Sequence, residues 1–126
     1  MIMVVKEFTF DSAHYLPNYD GPCSRLHGHT YRLQIGIKGG TDSKSGMVMD
    51  FVELKRIVRD YLDVLDHHCL NEVTSFDFPY QNPTAERMVT WLSLCLLHHF
   101  VDPEMPNLEF IRLYETPTSY AEWRKS

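Results

Sequence analysis

The chain is short of cysteine, of long apolar runs and of basic blocks, and each shortage removes a class of protein. Cys23, Cys69 and Cys95 are its three cysteines in 126 residues. An odd, widely spaced set is not a disulfide framework, and free thiols suit a reducing compartment. No stretch reaches the roughly 18 apolar residues that span a bilayer. Lys6, Glu7 and Thr9 break the apolar run at the start, which lacks the pattern of a signal peptide. These features make the cytoplasm the expected location and exclude a membrane partner. The net charge is −5, with no basic run. Nucleic acid is therefore not an expected partner, because phosphate binding needs a basic footprint.

Repeats and composition shifts are also missing, so residues 1–126 read as one domain. Apolar residues make up 44% and charged residues 23%, an ordinary globular balance that supports a core without disulfides. Met3 to His14 reads as a strand, with Phe8, Phe10, Ser12 and His14 on one face and Glu7, Thr9 and Asp11 on the other. A loop rich in turn formers follows. From His27 to Ile37 a second strand alternates cleanly, with His27, His29, Tyr31, Leu33, Ile35 and Ile37 facing inward.

Asp50 offers a helix N-cap with Glu53 three residues on. Leu54, Val58, Tyr61, Leu62 and Leu65 follow at helical spacing. Asp66 to Phe78 reads as loop. Asn82 and Pro83 read as cap and first residue of a second helix, whose stripe is Met88, Trp91, Leu92, Cys95, Leu96 and His99. Leu108 to Glu115 and Thr118 to Trp123 read as closing strands. Strands at both ends with two helices between them predict an α+β domain, an antiparallel sheet backed by two helices.

His27-Gly28-His29 puts two imidazoles on one strand face, with Gly28 leaving room beside them. If the first two strands form a hairpin, His14 joins them, and His14 and His29 become cross-strand neighbours. Three histidines with one open position are the ligand set of a catalytic zinc. His67 and His68 follow Asp66, which would orient an adjacent ring; on the sequence by itself, a helix C-terminus favouring histidine is the preferred reading. His98 and His99 read as structural or exposed. Cys95 sits on an apolar stripe, and Cys69 reads as structural. Cys23 instead occupies a Gly/Pro/Ser loop four residues before His27, where a thiolate would serve as base or nucleophile. Glu115 falls on the inward face of its strand. It either meets a heterocycle with two parallel N–H donors, or turns to solvent or an arginine.

In chain order these residues form Phe10-x-x-Ala13-His14, Cys23-x-x-x-His27-Gly28-His29-x-Tyr31, Leu65-Asp66-His67, Asn82-Pro83-Thr84-Ala85-Glu86 and Glu115-Thr116. The series resembles the 6-pyruvoyl-tetrahydropterin synthase family over nearly the whole chain, and especially its 6-carboxy-tetrahydropterin synthase branch in queuosine biosynthesis. The resemblance implies the T-fold, a two-layer ββααββ subunit. It implies sheets joined into a barrel, usually in a homohexamer of two trimers, with sites between subunits. It implies Zn2+ on His14, His27 and His29. Cys23, Asp66 and His67 take the catalytic roles, and Glu115 grips the pterin, with Thr84 and Glu86 in a motif tied to its pocket. The implied substrate resembles 7,8-dihydroneopterin triphosphate. Arg25, Arg32 and Lys38 are candidates for its phosphates. The short spacer from Cys23 to His27 favours the 6-carboxy branch over the 6-pyruvoyl one.

Overall fold

A computed structural model describes all 126 residues. Two long strands begin the chain, β1 (Ile2–His14) and β2 (His27–Gly39), followed by helix α1 (Phe51–Leu62) and a two-residue strand β3 (His68–Cys69). Helix α2 (Ala85–Leu97) and strands β4 (Asn107–Thr116) and β5 (Ser119–Arg124) complete it. The sheet runs β3-β1-β2-β4-β5, antiparallel except that β3 is parallel to β1. Both helices pack on one face. This is the expected α+β arrangement of two helices between two hairpins.

Alternation on β1 and β2 drives the assembly. Phe8, Phe10, Tyr31, Leu33 and Ile35 are buried, while Glu7, Thr9, Asp11 and Thr30 between them are exposed. The buried row meets Leu54, Val58 and Leu62 of α1 and Met88, Leu92 and Leu96 of α2 in one cluster of 24 residues. Each such side chain contributes about 1.5–3 kcal/mol by leaving water. Asp50 caps α1, its carboxylate accepting from the Val52 N–H at 2.9 Å. Glu53 closes no capping box; it pairs with Arg56 at 2.6 Å. On the outer face Gly36 lies under the Phe110 ring, where an added Cβ would come within 2.2 Å of Phe110 Cε1. A bulge between Gly36 and Ile37 in the β2–β4 ladder shifts the register there, so Leu108 and Ile111, three residues apart, both join the core cluster.

Three local expectations change. The segment after α1 is not all loop: His68 and Cys69 pair in parallel with Ser12 and Ala13, giving a fifth strand. Two residues are too few to show a period. Hydrogen bonds hold them instead: Ser12 Oγ donates to the Leu65 carbonyl, Asn71 Nδ2 donates to the Tyr15 carbonyl, and Asn71 Oδ1 accepts from the Tyr15 N–H. The second helix starts two residues later than Asn82 and Pro83 suggest. Thr84 is its N-cap, accepting from the Arg87 N–H at 3.2 Å. His99 is off the buried stripe, because α2 ends at Leu97 and His99 is exposed beside the Tyr61 hydroxyl at 3.0 Å.

Candidate active site

The β1–β2 register places His14 opposite His27 and Ser12 opposite His29. His14 thus has His27 as its direct cross-strand neighbour and His29 on the diagonal, one step from the sequence expectation. The three ring centroids lie 4.6 to 5.1 Å apart. One ligand nitrogen from each falls within 4.8 Å of the other two, and no fourth histidine, cysteine or carboxylate joins them. The rings are oriented from behind. His14 Nδ1 meets the Pro83 carbonyl at 2.9 Å and His27 Nδ1 meets the Arg25 carbonyl at 2.7 Å. Each ring then carries its proton on Nδ1 and leaves Nε2 as a lone pair, the arrangement that orienting carbonyls impose on metal ligands. The Asn82-Pro83-Thr84 turn therefore supports His14 through its backbone.

Electrostatics favour the neutral, ligating form. Burial pushes the His14 imidazolium down to about 4, with His27 and His29 adding to the shift and the Pro83 carbonyl opposing it. Burial also lowers His29, partly offset by the negative charge of Glu115 nearby. Tyr31 closes the floor of the cluster, its hydroxyl 3.4 Å from His14 Nδ1. Burial and then Glu115 push its phenol up, so it stays protonated. The donor set fits a divalent ion with an open position.

Asp66 and His67 lie on the opposite face of the hairpin. Asp66 Oδ1 accepts from the Asp11 N–H at 2.9 Å and sits 3.0 Å from His67 Nδ1. The Asp11 N–H first, and then His67, hold the Asp66 carboxyl below its usual range. His67 has a left-handed φ of 60° and an exposed ring. It lines an open groove of about 570 Å³ with Asp11, Gly28, His29, Thr30 and Cys69. His68 lines the same groove, its Nδ1 on the Asp66 carbonyl at 2.7 Å.

The remaining residues are dispersed. Cys23 is half-buried in a short 3-10 turn, Pro22–Ser24, with its carbonyl accepting from the Leu16 N–H at 2.8 Å. Its thiol is outside the imidazole group. Glu115 is half-buried and occupies the irregular step of the β4–β5 ladder, between Tyr114 and Thr116. It shares a groove of about 440 Å³ with His29, Thr30, Arg32 and Tyr114. Glu86 is exposed on α2 and lines another groove with Asp77, Arg87 and Trp91. Arg32 is thus near His29 and Glu115, whereas Lys38 lines a groove with Met1 and Pro106. Nine residue steps along β2 separate Lys38 from His29, about 30 Å. Burial pushes the Cys95 thiol up to about 11, as an inert core cysteine. Sequence reasoning missed Asp11, Thr30 and the Pro83 carbonyl. For Asp11 the only signal was a carboxylate on the outer face, three residues before His14.

The fold and the cluster define an α+β protein with three histidines arranged to take a divalent ion beside a separate carboxylate–histidine pair. Residues 3–126 match the family model described as 6-pyruvoyl tetrahydropterin synthase, and the chain belongs to that family. The 6-carboxy-5,6,7,8-tetrahydropterin synthase of Haemophilus influenzae is 36% identical, over 99% of this chain and 100% of that protein. The dihydroneopterin monophosphate aldolase of Pyrococcus furiosus is 34% identical, over 71% of this chain and 70% of that protein. The solved structure of Caenorhabditis elegans 6-pyruvoyl tetrahydropterin synthase superposes with a TM-score of 0.84 at 26% identity, covering 99% of this chain and 96% of that one.

Proposed function

We propose that the chain is a zinc-dependent lyase that converts 7,8-dihydroneopterin triphosphate to 6-carboxy-5,6,7,8-tetrahydropterin, releasing acetaldehyde and triphosphate, in the queuosine pathway of the cytoplasm. The observation that carries the reading is the convergence of His14, His27 and His29, with Nδ1 of His14 and of His27 tied to backbone carbonyls. Likeness to the 6-carboxy relatives over almost the full chain, together with the short Cys23–His27 spacer, supports the 6-carboxy product.

His14, His27 and His29 hold the ion. Zinc, when bound, supplies a Lewis acid toward the oxygens of the substrate side chain. Cys23 takes a proton as thiolate. His67, kept in one tautomer by Asp66, moves protons through Nε2. Glu115 accepts the paired N–H edge of the pterin, which fixes the side chain beside the imidazoles. Thr84 acts through the turn that supports His14, and Glu86 belongs to the same motif.

Within one chain His29 and His67 line one groove, but the ligand nitrogens of the three imidazoles and the Asp66–His67 pair form two separate groups. A second copy bringing its own Asp66–His67 pair to the imidazoles resolves this, and supports a homohexamer with shared sites. The outer edge of β1 is unpaired from Ile2 to Phe10, and β5 pairs only with β4. Such open edges call for partners.

The test is to incubate zinc-loaded protein with 7,8-dihydroneopterin triphosphate, identify the pterin by mass spectrometry and assay acetaldehyde. A 6-carboxy product with acetaldehyde is expected. A 6-pyruvoyl product would move the chain to the sister activity with its residue roles intact. Turnover of dihydroneopterin monophosphate alone would replace the substrate.

A further inference from the structure

Beyond the imidazoles, one other set of proton-bearing groups converges. The side-chain ligand atoms of Asp11, Asp66 and His67 all lie within 4.8 Å of one another. Asp66 and His67 have roles in the proposed reaction; Asp11 has none. Yet three of its groups are engaged. Its N–H donates to Asp66 Oδ1 at 2.9 Å, its carbonyl accepts from the His67 N–H at 2.6 Å, and its Oδ1 accepts from the Thr30 hydroxyl at 2.5 Å.

Each bond restrains something different. The two backbone bonds pin the Asp66–His67 step to β1, where His67 adopts its left-handed φ of 60°. A non-glycine residue keeps that conformation only when its surroundings enforce it. The Thr30 bond fixes the carboxylate itself. Thr30 directly follows His29, so this bond ties the outer face to the strand carrying two of the three imidazoles. Around the His67 ring stand Asp11 from β1, His29 from β2 across the groove, Asp66 with Arg59 behind it from the α1 side, and His68 and Cys69 from β3. The two carboxylates are the negative groups among these. Asp66 Oδ1 stands 3.0 Å from Nδ1 and so favours the N–H there, and the Asp11 carboxylate lies within 4.8 Å of the same pair.

We propose that Asp11, held by Thr30, is a positioning residue that keeps the His67 ring in its Nδ1–H tautomer with Nε2 free to exchange protons. Asp66 supplies the direct bond, and Asp11 supplies the second charge and the anchor that stop the ring from turning over. An imidazole that has accepted a proton at Nε2 then stands against two negative charges. The inference rests on the reading of His67 as the acid–base group, but its structural part is measurable without turnover.

The experiment uses zinc-loaded full chain with histidine nitrogens labelled, and reads the His67 tautomer from its 15N shifts alongside kcat and KM. Asp11→Asn retains every backbone bond and removes the charge. It should move a clear fraction of His67 to the Nε2–H form, lower kcat about tenfold, a part of a general acid–base contribution, and leave KM and zinc content at wild-type values. Thr30→Val, which leaves Asp11 itself in place, should shift the tautomer in the same direction, and Thr30→Ser should restore it. A His67 tautomer unchanged in Asp11→Asn and Thr30→Val overturns the proposal whatever happens to turnover. A shifted tautomer in a protein that never turns over the pterin would uphold Asp11 and remove the reaction instead.

Discussion

The two faces of the β1–β2 hairpin do opposite kinds of work with the same backbone. Toward the helices, Phe10, Tyr31 and Leu33 are buried, and the row ends in His14, His27 and His29. On the outer side, Glu7 binds Arg32 and Gln34, and the row ends in Asp11, Thr30 and the Asp66–His67 pair. The inner groups owe their positions to packing, with two backbone carbonyls setting the rings. The outer groups owe theirs to hydrogen bonds reaching 55 residues along the chain. Metal ligands must hold a fixed geometry, and a close-packed core supplies it. A proton carrier needs solvent and substrate access, which an exposed ring has and a core position lacks.

The sharpest way to separate the faces is to remove one imidazole from each. His29→Ala should lose both zinc and turnover, the latter by more than about a thousandfold, since a Lewis acid contributes several kcal/mol. His67→Ala should lose about a hundredfold or more in turnover, as expected for an acid–base group, and keep its zinc. Metal analysis beside steady-state kinetics decides it. Loss of zinc from His67→Ala would mean that the outer pair also holds the ion.

A weaker lesion tests the packing itself. Leu33 is fully buried, and Leu33→Ala should cost about 2–5 kcal/mol of stability by urea unfolding. Arg32, its neighbour on the outer face, pairs with Glu7 at 2.8 Å while about a third of its side chain remains exposed. Arg32→Ala should cost less than about 1 kcal/mol, the usual worth of an exposed ion pair. Equal costs would erase the distinction between a packed face and a hydrogen-bonded one.

This contrast also governs what was legible beforehand. The inner row was readable because a period of two with apolar residues leaves one solution for the pairing face, and the imidazoles simply extend it. Even there the loop set the register, so His14 met His27 before His29. The outer cluster was readable only in part. Asp66 and His67 announced themselves as a pair, but their attachment to Asp11 runs through a two-residue bridge that leaves no periodic trace. The shift of the α2 cap from Asn82 to Thr84 has a similar cause: the Pro83 carbonyl is used by His14, a partner 69 residues away. Contacts that depend on one backbone carbonyl have no sequence signature.

Acid separates the two faces without any mutation. Unfolded histidine binds its proton below about 6.5, whereas burial holds folded His14 neutral down to about 4. Between those values the unfolded state carries more protons, so stability must fall as pH falls. For the metal-free protein the loss across this window should reach up to about 3 kcal/mol if the whole shift is expressed. The outer carboxylates act lower. Asp66 and Glu7 are both held below their ordinary values by hydrogen bonds, so their contribution is intact above the usual carboxylate range and disappears only beneath it. Urea midpoints measured from pH 7 to pH 3 should therefore fall in two stages, the first from the inner face. His14→Asn, which keeps an N–H for the Pro83 carbonyl and cannot take up a proton, should shrink the first stage to the share that buried His29 contributes, and leave the second. A first stage undiminished in His14→Asn would assign it to groups outside the imidazole row and break the link between burial of that row and its readiness to bind a metal.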